Sequence, residues 1–154
     1  MEASRIPSCR VPRSFRAVLA QRRFVQVSPH PGFLQVLLAG WGNADTVFQS
    51  PELALKFSWD RIVEVHVASS ASCQEWFALG LLLDYVQGWR LFTPSPRPTM
   101  TEIAARLNTE YDRIALAVTG AQGHETARSL REAFSNSPVM AKASKSRGTH
   151  RASG

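Results

Sequence analysis

At 154 residues the chain has the size of one domain and can close a hydrophobic core without disulfide or metal staples. Apolar residues make up 44% of it and charged residues 19%, which excludes the low-hydropathy, high-charge composition of a disordered chain. The net charge of +6 sits at the ends: residues 1–23 carry +5 and residues 136–154 carry +4, which leaves the body at −3 and without the continuous basic face of a folded nucleic-acid binder.

The expected organisation is a basic, irregular arm over 1–12, one domain over 13–135, and a basic tail over 136–154 too poor in apolar side chains to pack. Nucleic acid could be held through those termini, but solvated ends are the simpler reading. Cys9 and Cys73 stand far apart and in no paired motif, so neither a disulfide framework nor a cysteine zinc site is indicated. A reducing, cytoplasmic setting is expected. The Arg-rich, acid-poor start through Arg23 also has the composition of a mitochondrial presequence, which bears on a eukaryotic source alone. The longest apolar run, Phe77 to Leu83, falls far short of the roughly 20 residues of a membrane helix.

Taken in chain order, Pro7 and Pro12 keep the start irregular, and Ser14 can cap a helix from Phe15 to Arg22 with Phe15, Val18 and Leu19 on one face. Phe33 to Ala39 reads as a strand, Gly40 to Asn43 as a turn, and Thr46 to Phe48 as the returning strand of a hairpin. Residues 53–67 carry the clearest period. Leu53, Leu55, Phe57 and Trp59 alternate with Ala54, Lys56, Ser58 and Asp60, and Val63, Val65 and Val67 alternate with Glu64 and His66. Two half-buried strands follow, with a break near Asp60 and Arg61.

Residues 73–92 allow two readings. As a helix, Ser72 and Glu75 form a capping box and Gly88 is the C-terminal stop. As a hairpin, Glu75 to Leu83 pairs with Trp89 to Phe92. The helix would be apolar nearly all round and would need full enclosure, which favours the hairpin. Beyond the prolines at 94, 96 and 98, Thr99 or Thr101 can cap a helix that turns Ile103, Leu107 and Ile114 inward. Gly120 and Gly123 interrupt it, and a last helix is expected near Glu125 to Phe134. The class expected is therefore α+β: an antiparallel sheet of about five or six strands followed by C-terminal helices.

The strand pairs, the run Trp59-Asp60-Arg61-Ile62-Val63-Glu64-Val65, the further hairpin and the closing helix together resemble small bacterial pleckstrin-homology-like domains of unassigned function. That resemblance implies a β-roll closed by a helix and used for binding. Residues 114–127, with Thr119, Gly120 and Gly123, resemble the strand-turn-helix of short-chain dehydrogenases. There the spacing is shortened, a glycine is missing, Glu125 would repel phosphate, and the 31 residues after Gly123 leave no space for further parallel strands.

No catalytic set emerges. Glu64 and His66 would project to the same side of one strand, as a small enzyme could use, yet no third ligand for a metal is specified. Cys73 would gain thiolate character at a helix N-terminus, without a base partner. Residues 101–118 also suit a helix-turn-helix DNA-binding regulator with the turn at Asn108, although Glu110 and Asp112 would then face phosphates. Trp41, in a glycine turn, is the candidate contact anchor. The expectation is a non-enzymatic protein-interaction or regulatory module that acts on another protein and carries no cofactor or metal.

Overall fold

The structure, a computed structural model, describes residues 11–27, 44–59, 62–92, 96–138 and 140. The chain enters through helix α1 (Arg13–Gln21), which buries Phe15, Val18 and Leu19 as its sequence period requires. It starts one residue ahead of the expected cap. Pro12 holds the cap position with φ −52° and its carbonyl accepts from the Phe15 N–H at 2.9 Å, so the Ser14 hydroxyl plays no capping role. Arg23 at φ 56° then turns the chain past the buried Phe24 into strand β1 (Val25–Gln26).

Strands β2 (Ala44–Gln49), β3 (Leu53–Trp59), β4 (Val63–Ser69) and β5 (Phe77–Ala78) follow β1 in a meander, each antiparallel to the one before. The α+β class, the antiparallel sheet and the late helices are as the sequence implies. Register follows hydropathy: Phe48 opposes Leu55, Leu55 opposes Val67 and Phe57 opposes Val65, all buried on the inner face, while Lys56, Glu64 and His66 stand on the outer one. The expected strand at Phe33 to Ala39 lies outside the described residues. Along Val47–Gln49 it is Val25–Val27 that pairs with β2.

The hairpin reading of residues 73–92 is overturned. After β5 the chain forms helix α2 (Leu79–Val86), and Trp89 to Phe92 form no strand. The helix takes Ala78 as its cap rather than Ser72, so it spans eight residues and leaves Trp76 and Phe77 outside it. That shortening removes the objection to an all-round apolar helix. Its buried face of Leu79, Leu82 and Leu83 is enclosed because α3 (Met100–Val118) lies across it. Gly88 ends it at φ 70°, with Trp89 N–H bonded to the Asp84 carbonyl at 2.8 Å and Gly88 N–H to that of Tyr85 at 3.1 Å, a Schellman stop.

Thr99 caps α3 through a reciprocal capping box with Glu102: the Glu102 N–H donates to Thr99 Oγ1 at 3.2 Å, and the Thr99 N–H to Glu102 Oε2 at 2.7 Å. Ile103, Leu107, Tyr111 and Ile114 are buried on one face. The helix runs unbroken through 101–118, so the two helices and the Asn108 turn of the helix-turn-helix reading do not exist there. Residues 114–118 are helical too, which removes the strand of the dehydrogenase-like reading.

Helix α4 (Gly120–Ser135) follows with Thr119 as the sole joint, beginning five residues before the expected Glu125. Gly120 supplies φ 54° at the corner. Gly123 sits inside the helix instead of breaking it, because there α4 crosses α3 closely: a Cβ at 123 would lie 2.6 Å from the Val118 carbonyl oxygen. Thr126 Oγ1 donates to the Ala117 carbonyl at 2.7 Å and pins the same corner.

Candidate functional site

The residues just before and within β5 meet the flank of α4 across an open groove of about 500 Å³. Strand alternation turns Phe77 inward, where it is buried against the core, while Trp76 stays half-buried at the edge. Leu81 contributes from the first turn of α2. On α4, Ala127, Leu130 and Phe134 recur at helical spacing and face the groove. Phe92 closes the lip by packing edge-to-face on Phe134, with ring centres 5.2 Å apart.

Two features set this groove apart from ordinary surface. Phe134, on the apolar stripe of α4, is 42% exposed, less than Leu116 at 70% or Trp89 at 56%, but unlike them it lies beside other apolar groove residues. Phe92 adopts φ 55°, which a bulky residue avoids at a cost of order 1 kcal/mol. The rim carries one charge of each sign, Arg131 Nη1 standing 3.7 Å from Glu75 Oε1 in a solvent-exposed and therefore weak pair. A groove with aromatic walls and a balanced rim can bury apolar side chains.

Glu64 and His66 do come together on the outer face of β4, with His66 Nε2 4.0 Å from Glu64 Oε2. They line a recess of about 210 Å³ whose other walls include Ala78, Gly80, Met100 and Ile103. Burial is the main reason the His66 imidazole is less basic than usual; the Lys56 ammonium opposite it adds to this, and Glu64 and Asp45 oppose it. Among the described residues no group of three or more His, Cys, Asp or Glu could hold a metal ion.

Cys73 lies in the turn after β4 at φ 47°, its Sγ 3.8 Å from the Ser70 carbonyl oxygen. No helix begins at it, so the helix N-terminus expected there does not exist. It is a free thiol. Trp41 lies outside the described residues. Trp89 is 56% exposed and is covered on one face by the Arg106 guanidinium, 4.2 Å from its ring centre, which Asp84 and Gln87 hold in place.

The groove was not anticipated from sequence. Phe134, one helical turn beyond Leu130 in an otherwise polar stretch, was the one legible mark, and its meeting with Phe92 depends on tertiary contact. No helix among the described residues is long and apolar enough to cross a membrane. Comparison of the chain with protein-family models, curated proteins and solved structures finds no match.

Proposed function

We propose that the protein is a non-enzymatic interaction module whose groove between β5 and α4 takes an apolar, aromatic-containing segment of another protein. The observation that carries this reading is the exposure of Phe134 beside Phe92, Trp76 and Leu81, a contiguous apolar surface along the groove. The rim supports a peptide rather than a strongly charged ligand, because Glu75 and Arg131 offset each other. Aromatic anchors in such a groove carry most of the affinity of a typical interface. A reducing compartment such as the cytoplasm suits the free Cys73 thiol.

Selection of a displayed random peptide library on the whole protein, with Phe134→Lys as counter-selection, tests this. Enriched apolar-aromatic peptides that shift the amide resonances of Leu81, Leu130 and Phe134, and that bind the variant at least tenfold more weakly, are expected. Peptides that bind both proteins equally, or whose footprint lies elsewhere, would remove the groove from consideration. Salt-sensitive binding of duplex DNA that disappears on trimming residues 1–10 and 141–154, with no peptide selected, would instead assign the basic ends as the working surface.

A further inference from the structure

On the outer face of the sheet the register sets three side chains in a row. Lys56 on β3 stands directly opposite His66 on β4, and His66 stands opposite Ala78 on β5. The Lys56 ammonium reaches over the Trp76 ring, 4.7 Å from its centre. Trp76 is in turn a wall of the groove. His66 Nδ1 is buried with no hydrogen-bond partner, whereas Nε2 points toward the Glu64 carboxylate. This arrangement suits a neutral imidazole with its proton on Nε2. A second proton has to enter at Nδ1, where it finds no acceptor and sets a positive charge across the strand pair from Lys56.

We propose that this row is a proton-operated latch: when His66 takes a proton from solvent, repulsion across the strand pair drives the Lys56 ammonium off the Trp76 ring and frees that wall of the groove to move. Among the described residues, the charged groups around His66 are Lys56 from β3, Glu64 from its own strand and Asp45 from β2. The other residues lining the recess, among them Ala78 from β5 and Met100 and Ile103 from α3, do not titrate. Glu64 is 60% exposed, so solvent screens its attraction for an imidazolium, and burial together with Lys56 prevails. The latch is therefore closed at neutral pH and opens on acidification. It belongs to the free protein and holds whether or not the groove takes a peptide.

The test is side-chain NMR of the unliganded full chain between about pH 7.5 and 4.5, the interval in which a histidine with lowered basicity titrates. The His66 ring signal, assigned by its loss in His66→Gln, should titrate with a midpoint below 6.5, its ordinary value. The Lys56 ε-methylene signals, shifted upfield by the Trp76 ring at the high end, should return to their usual position with the same midpoint. Lys56→Gln should raise the His66 midpoint, and His66→Gln should keep the Lys56 signals upfield throughout. A His66 midpoint at or above 6.5, a midpoint unmoved by Lys56→Gln, or Lys56 signals that do not follow His66 would each overturn the latch. Because no peptide is present, none of these outcomes depends on the proposed groove ligand.

Discussion

Replacing Gly123 by alanine should destabilise this protein, against the ordinary preference of helices. At an unencumbered helical site the change gains about 0.5–1 kcal/mol, because glycine loses more conformational freedom on folding. Here the new Cβ would lie 2.6 Å from the Val118 carbonyl oxygen and 3.0 Å from its carbonyl carbon. Both are backbone atoms at the α3–α4 corner, so no side chain can rotate away and the corner itself must open. Overpacking of this kind costs about 1–3 kcal/mol. Opening also stretches the Gly123 N–H bond to the Thr119 carbonyl, now 3.1 Å, and the 2.7 Å Thr126 bond to Ala117, each worth about 1 kcal/mol. The net expectation is a loss of about 1–3 kcal/mol. Gly80 in α2 is the internal control, since a Cβ there meets nothing within 4 Å, and alanine should gain about 0.5 kcal/mol. Urea unfolding followed by circular dichroism should move the two midpoints in opposite directions at unchanged slope. A Gly123→Ala protein as stable as the parent would show that close helix approach does not define the corner.

Thr99→Ala removes one half of the capping box and leaves the Glu102 N–H without its side-chain acceptor; a loss of about 1 kcal/mol is expected in the same urea assay. Tyr111→Phe deletes a hydroxyl that lies 2.7 Å from Ser50 Oγ and donates to Glu52 Oε2 at 3.0 Å, which should cost about 1 kcal/mol, since Ser50 keeps its bonds to Leu53. Stability should also depend on His66. Its folded form is less basic than the unfolded one, so below about pH 6.5 the unfolded chain binds more protons, and stability falls as pH drops from there through the folded-state value. His66→Gln should flatten that part of the profile in midpoints measured between about pH 7 and 5.

The sheet was legible where hydropathy alternated against a fixed partner. Leu53, Leu55 and Phe57 have one possible inner side, and a slip of one residue would have exposed all three. A helix cap at Thr99 or Thr101 was legible because a cap is a local bond, though the reciprocal bond from Glu102 was not read; Gly88 was legible as a stop only within the helical alternative. Residues 73–92 were not legible in this way. Whether an apolar run coils depends on whether something covers it, and the cover is α3, which begins 14 residues after α2 ends. Gly123 misled for a related reason: as a sequence feature it reads as a breaker, yet it permits a close crossing visible only in three dimensions. The groove shares this property. Of its aromatic walls, Trp76 and Phe77 could be placed on a strand, but Phe92 and Phe134 are 42 residues apart and meet through the path of the chain around α3.

The corner and the groove are therefore one mechanical problem. α4 is joined to α3 by the single residue Thr119, so its direction is set by the crossing at Gly123 and the bond from Thr126. Leu130 and Phe134 lie two and three turns further along the same rigid rod, at 1.5 Å per residue about 10 and 16 Å from Gly123. A small rotation at the corner is amplified along that length. Opening the crossing by a few tenths of an ångström over the few residues between Thr119 and Gly123 displaces Phe134 by roughly an ångström, enough to loosen its edge-to-face contact with Phe92 and reshape the groove. Gly123→Ala should then weaken peptide binding even under conditions in which the variant remains fully folded, whereas Thr99→Ala, which also destabilises but at the far end of α3, should leave it unchanged. Equal binding by the folded forms of both variants would show that the groove is set by the sheet edge and not by the helix corner.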